Sequence, residues 1–243
     1  MKISSWQITY RNLFRLWCVA WFLTIVILIQ PLGYTIERLV TGILITVVWV
    51  GGIYFGWQRL PIKIATLVVT LFCSLLLILP GRPANTEDLR AAYLHAMQGY
   101  EGTKYVWGGE NRIGIDCSGL VREGLIQANL QQGITTFNSE LVRQGLAMWW
   151  FDLSAEALRD GERGWTKRLF RAESINSIDN SQLLPGDLAA TTDGVHILAY
   201  IGENKWIEAD PGLLKVITVS VPDNVNYWFN VPVYTLRWLQ LSK

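Results

Sequence analysis

The sequence predicts an α+β domain carried behind three membrane-spanning helices, and three observations predict it. Residues 1–80 hold three long charge-poor apolar stretches, two helical patterns follow in the polar remainder, and the chain finishes in short β-rich runs separated by turns. The halves also differ in charge. Residues 1–80 carry Lys2, Arg11, Arg15, Arg38, Arg59 and Lys63 against Glu37 alone, while the remainder is net acidic. The overall charge of +1 is therefore a sum of two unlike regions and gives no sign of a nucleic-acid partner.

A helix needs about 20 mostly apolar residues to cross the hydrocarbon core of a bilayer. Residues 16–29 (LWCVAWFLTIVILI), charge-free through Ile36, give the first candidate; residues 39–57 and 64–79 give the second and third. Each is apolar on every side, without an amphipathic stripe, which suits lipid better than a soluble core. A cleaved secretory signal is the alternative for the first stretch, but its exit, QPLG, lacks a small-x-small pattern and two further stretches follow. Lys2, Arg11, Arg15, Arg59 and Lys63 flank one side of the spans, and Arg38, Arg82 and Arg90 lie near the other. Basic excess marks the cytoplasmic face, so the expected product is a multi-pass cell-membrane protein with everything after Leu79 outside the cytoplasm.

PGRP at 80–83 separates a membrane region, residues 1–80, from one outer domain, residues 84–243. Asn85 or Thr86 caps a helix over 86–99, with Glu87 and Asp88 in its first turn and Leu89, Ala92, Tyr93, Ala96 and Met97 at helical spacing. The turn-rich GYEGTKYVWGGENRIGID leads to a second helix beginning near Cys117, with Leu120, Val121, Leu125 and Ala128 inward. Residues 131–184 read less clearly. The aromatic and charged passage near 145–172 is expected as a surface helical excursion whose Trp and Phe pack on the domain, with a substrate-groove wall or a membrane-surface contact as the alternatives. HILAYI, KWIEA, LKVITVSV and VPVYTLRWL, broken by GEN, DPG and PDN, predict an antiparallel meander.

Cys18 and Cys73 fall in apolar stretches, where a thiol is a small hydrophobe, and leave Cys117, in GIDCSGL, as the lone thiol of the outer domain. A thiol attacks as its thiolate, and a helix N-terminus favours that anion. Asp116 is the expected cap, and Gly108, Gly109 and Gly114 permit a tight approach that leaves the sulfur exposed at the helix tip. Of the two histidines, His95 sits beside an apolar helix face and reads as structural or surface. His196 opens the strand VHILAYI, where an imidazole can serve as general base. The GEN turn brings WIEAD back alongside, so either Glu208 or Asp210 can accept the ring N–H. Two histidines and no CxxC make none of the usual zinc sites, GGENRIG is no phosphate-binding fingerprint, and DCSG lacks the elbow that would make Ser118 a nucleophile. No metal and no cofactor are expected.

YVWGG at 105–109, DCSGLV at 116–121, LLPGDL at 183–188 and VHILAYIG at 195–202 together resemble the NlpC and P60 family of papain-like cell-wall cysteine peptidases. The resemblance covers roughly 86–240. It implies a papain-like domain with Cys117 as nucleophile, His196 as base and Glu208 at the third polar position. It further implies Tyr105 beside the oxyanion and a peptidoglycan stem peptide as substrate. Asp116 and Ser118, on either side of Cys117, are expected as oxyanion or substrate-binding residues. The family's third residue is commonly His, Asn or Gln, so a glutamate is a departure. So is the long spacing from Cys117 to LLPGDL. Two other functions fit the sequence: thiol-dependent acyl or peptidyl transfer at the membrane, and a non-catalytic membrane scaffold.

Overall fold

In the computed structural model, which describes residues 5–242, the apolar stretches form α1 (Ser5–Ile29), α2 (Thr35–Gly56) and α3 (Leu60–Ile78). Each holds 19 to 22 residues long and apolar enough to cross a membrane. Their large apolar side chains are mostly exposed, the surface a bilayer would cover. The first helix does not continue through Ile36: it ends at Ile29, and Pro31 and Gly33 lie in the connector before α2 starts at Thr35. Lys2 lies outside the described residues. At the other end of the bundle, Pro61 sits in the first turn of α3 and Lys63 lies 4.3 Å over the Trp57 ring.

The outer domain begins with α4 (Thr86–Gln98), where the Asn85 side chain accepts from the Glu87 and Asp88 amides. Its Leu89, Tyr93 and Met97 are fully buried against α5 (Cys117–Thr135), whose Leu120, Val121, Leu125 and Ala128 face the same core. Two residue pairs, β1 (Glu110–Asn111) and β2 (Gly114–Ile115), form a small hairpin just ahead of α5. Two further helices follow, α6 (Ser139–Trp150) and α7 (Ala155–Arg159).

Among the described residues, six strands build the main sheet: β3 (Thr166–Ala172), β4 (Leu188–Thr191), β5 (Ile197–Gly202), β6 (Lys205–Asp210), β7 (Lys215–Ser220) and β8 (Val233–Trp238). Their spatial order is β3-β8-β4-β5-β6-β7, antiparallel throughout. Two elements differ from expectation. The meander holds for β5 to β7, but β8 crosses back to lie between β3 and β4. Val233, Thr235, Leu236 and Trp238 are buried on both faces of β8, which only an interior strand allows. The second difference is residues 166–172, which form an edge strand instead of extending the helical excursion. Lys167, Arg168 and Arg171 line it, charges that suit a sheet edge.

The sheet has a core on each face. Ile197, Ala199, Ile207 and Leu236 pack toward α4 and α5, while Leu198, Tyr200 and Trp206, one residue out of phase, meet Ile175, Leu183 and Phe229 from the connecting loops. LLPGDL lies at the entry to β4. Its Asp187 is fully buried and accepts from Arg237 Nε at 2.6 Å, Arg237 Nη2 at 2.5 Å and the Leu184 amide at 2.8 Å. Arg237→Met strips the charged donors from that carboxylate, and the expected loss is about 3 kcal/mol of unfolding free energy, measured by chemical denaturation. Pairing it with Asp187→Asn is expected to recover part of the loss.

Candidate active site

Cys117 opens α5, and the polypeptide before it is built to hold that helix end. Asp116 caps the helix: its Oδ1 accepts from the Gly119 amide at 2.6 Å and the Ser118 hydroxyl at 3.0 Å, and its Oδ2 accepts from the Gly108 amide at 2.8 Å. Gly108 adopts φ +72°, a conformation that L side chains rarely take. The sulfur is not exposed at the tip as expected, for Cys117 is only 5% exposed. Packing from the strand side covers it, with the Val195 carbonyl 4.0 Å from Sγ and the His196 ring against it.

His196 stands directly before β5 and is 1% exposed. Its Nε2 donates to Glu208 Oε2 at 2.7 Å, which leaves Nδ1 for the thiol. The pairing of Ala199 with Ile207, extended by three residues, would set His196 opposite Asp210. The ring instead reaches diagonally to Glu208. Asp210 is engaged elsewhere, its Oδ1 accepting from the Gly212 and Leu213 amides at 2.6 and 3.2 Å to close the turn after β6. Glu208 Oε1 accepts from Asn226 Nδ2 at 2.6 Å, so both oxygens of this buried carboxylate are satisfied. Trp228 stacks on the imidazole, ring centroids 4.2 Å apart and planes inclined by 21°. Asn226 and Trp228 escape the sequence reading. Their one signal is the density of Asn and aromatic residues in NVNYWFN, which gives no register toward His196.

Burial by itself lowers the affinity of His196 for a proton, but its hydrogen bonds to Cys117 and Glu208, reinforced by their charges, outweigh it and push its pKa up to about 9. The imidazole is thus charged at neutral pH, facing the sulfur. Tyr105, half-buried, is pushed well above the usual tyrosine range by burial and then by the nearby charges of Cys117 and Asp116, so its hydroxyl remains a donor. Ser118 turns its hydroxyl onto Asp116 instead of toward the sulfur. His95 is exposed on α4, outside this cluster. A cavity of about 390 Å³ opens beside the imidazole's stacking partner, between the Asp210–Leu213 turn and Val225–Trp228.

The fold and this cluster define an α+β domain with a cysteine, a histidine and a carboxylate in series. Residues 102–233, just over half of the chain, match the NlpC/P60 family, and the protein belongs to that family of cysteine peptidases and amidases. Solved structures similar to it include NlpC1 from Trichomonas vaginalis, 17% identical over 65% of this chain and 46% of that one, with a TM-score of 0.41. The peptidoglycan hydrolase RipB from Mycobacterium tuberculosis is 18% identical over 64% of this chain and 67% of its own, TM-score 0.41. The NlpC/p60 domain of the peptidoglycan hydrolase SagA is 25% identical over 60% of this chain and 96% of its own, TM-score 0.37. The chain thus spans under half the length of NlpC1. No curated protein matches it significantly.

With two histidines in the chain, NMR titration resolves them directly. His196 is expected to titrate near 9, and Glu208→Gln to lower that value by removing a charge that favours the imidazolium. Because the folded value lies above the ordinary one near 6.5, the stabilisation is complete below about 6.5 and is lost as pH rises through about 9. Denaturation across that window checks the sign.

Proposed function

We propose that the protein is a membrane-anchored cysteine peptidase that hydrolyses amide bonds in peptidoglycan stem peptides, acting outside the cytoplasm. The observation that carries this reading is the buried series Cys117, His196, Glu208, which sets a thiol at a helix N-terminus against an imidazole held by a carboxylate. Membership of the NlpC/P60 family supports cell-wall peptide as the substrate class.

In the proposed reaction the Cys117 thiolate attacks the scissile carbonyl carbon, forming the S–C bond. The Tyr105 hydroxyl donates to the developing oxyanion. His196 passes its proton to the leaving amine as the C–N bond breaks. A water then gives a proton to His196 and attacks the thioester, releasing a carboxylic acid and restoring the thiolate and imidazolium. Glu208, steadied by Asn226, fixes the ring and stabilises its cationic form, which a neutral residue in the same place would do less strongly. Asp116 and Ser118 act as positioning residues for the helix end.

Two side-chain contacts support the proposed orientation. Of the bases on the domain side, Arg38 is buried against Glu110 and Asp152, and Arg90 donates to the Pro185 and Leu241 carbonyls. Both serve the protein instead of facing headgroups, so the basic excess at the opposite end, with Arg11, Arg15, Arg59 and Lys63, is larger than a count of charges suggests.

Digestion of defined muropeptides, with products weighed by mass spectrometry, tests the reaction. Fragment masses that sum to the substrate plus one water indicate hydrolysis, whereas transfer leaves an adduct. Cys117→Ala is expected to reduce cleavage by about 10⁴-fold or more, and cleavage at the unaltered rate in that variant rejects the proposal.

A further inference from the structure

The connector between α1 and α2 is built into the domain. The Gly33 amide donates to the Gly108 carbonyl at 3.2 Å, and the Glu110 amide donates to the Pro31 carbonyl at 2.8 Å, so that Leu32 bridges Gly109 in antiparallel fashion. Asn111 Nδ2 adds bonds to the Gln30 carbonyl at 2.8 Å and the Ile29 carbonyl at 3.2 Å. A Cβ at position 33 would stand 2.1 Å from Glu110 Oε2, so a side chain there has to displace the Glu110 carboxylate.

A charge cluster, buried except for the exposed Asp152, backs this seam. Arg38, near the start of α2 and 2% exposed, pairs with Glu110 and lies 3.6 Å from Asp152. Arg122 of α5 reaches the same two carboxylates at 2.9 Å each. A cation of a membrane helix and a cation of the helix that starts at Cys117 thus share both acids.

The seam also leads to the nucleophile in few steps. Gly33 bonds Gly108, the Gly108 amide bonds the Asp116 carboxylate, and that carboxylate bonds the Gly119 amide inside the first turn of α5. The Asp116 amide in turn donates to the Gly109 carbonyl at 3.1 Å. At the second junction, Arg143 of α6 donates to the Leu77 and Leu79 carbonyls at the end of α3, and no such path to Asp116 runs from there among the described hydrogen bonds.

We infer that the Pro31–Gly33 connector and Arg38 are positioning elements of the catalytic site, holding Gly108–Glu110 so that Asp116 keeps the N-terminus of α5 aimed at His196. The membrane region is then part of the machinery as well as its anchor. This inference rests on the proposed role of Cys117, and the test separates the two.

Full-length protein in lipid nanodiscs is alkylated with iodoacetamide across a pH series, and modification of Cys117 is followed by peptide mapping. Gly33→Val and Arg38→Met are expected to slow Cys117 alkylation near neutral pH by about tenfold and to displace its pH profile. Arg38→Lys, which keeps the charge but not the planar fork, recovers part of the rate. Asn111→Asp keeps the oxygen that accepts from the Ile113 and Gly114 amides and removes the donor to the connector, so it decides the matter even where Gly33→Val does not fold. Its expected effect is about threefold, again with a displaced profile. Arg143→Met, at the other junction, is expected to stay within about twofold of wild type with an unchanged profile. Folded Asn111→Asp and Arg38→Met proteins with the wild-type pH profile overturn the inference. A wild-type Cys117 that reacts no faster than an unstructured cysteine overturns the proposed function instead.

Discussion

The carboxylate of Asp116 is the constraint on which the site depends. Its two oxygens bind three donors from two directions: Gly119 and Ser118 within the first turn of α5, and Gly108 from the loop before it. A helix end without such partners leaves backbone amides unsatisfied and free to fray. With them, the first residue of the helix has a fixed place. Cys117 therefore meets the strand side at a set distance, and the glycine segment cannot shift without moving the sulfur.

The opposite side of the site obeys a different rule, that of complete satisfaction in a buried setting. His196 and Glu208 are nearly inaccessible to water, and an unpaired charge there would be costly. The pair is bonded within and without: ring Nε2 donates to Glu208, and the carboxylate accepts from the ring and from Asn226. Trp228 closes the remaining face of the imidazole. The turn that carries Asn226 and Trp228 packs through Phe229 into the second core, so the orientation of the imidazole is tied to the sheet as a whole.

The three long apolar helices join this arrangement at the end where Cys117, His196 and Glu208 gather. The α1–α2 connector lies along Gly108–Glu110, and the end of α3 is held by α6. The α1–α2 connector and the end of α3 both touch the domain, so both lie at the end of the helices that the domain occupies. Arg38 shows how a residue can belong to two readings: by position it is a flanking base, and by contact it is one of two cations that share Glu110 and Asp152.

Much of this was legible in the chain itself. Hydropathy length identifies the three long apolar helices, cap residues and 3.6-residue spacing identify α4 and α5, and alternation identifies β5 to β7, because each is a local pattern with one physical solution. The lone thiol at a helix start and the histidine at a strand start follow from the same local logic. What only the tertiary structure decided depends on partners distant in sequence. The choice of Glu208 over Asp210 turns on two turn amides that occupy Asp210 and on a diagonal reach across two strands. The burial of Cys117, the interior place of β8, the edge strand at 166–172, and the roles of Asn226, Trp228 and Arg38 turn on packing between segments up to about a hundred residues apart, which no short-range periodicity encodes.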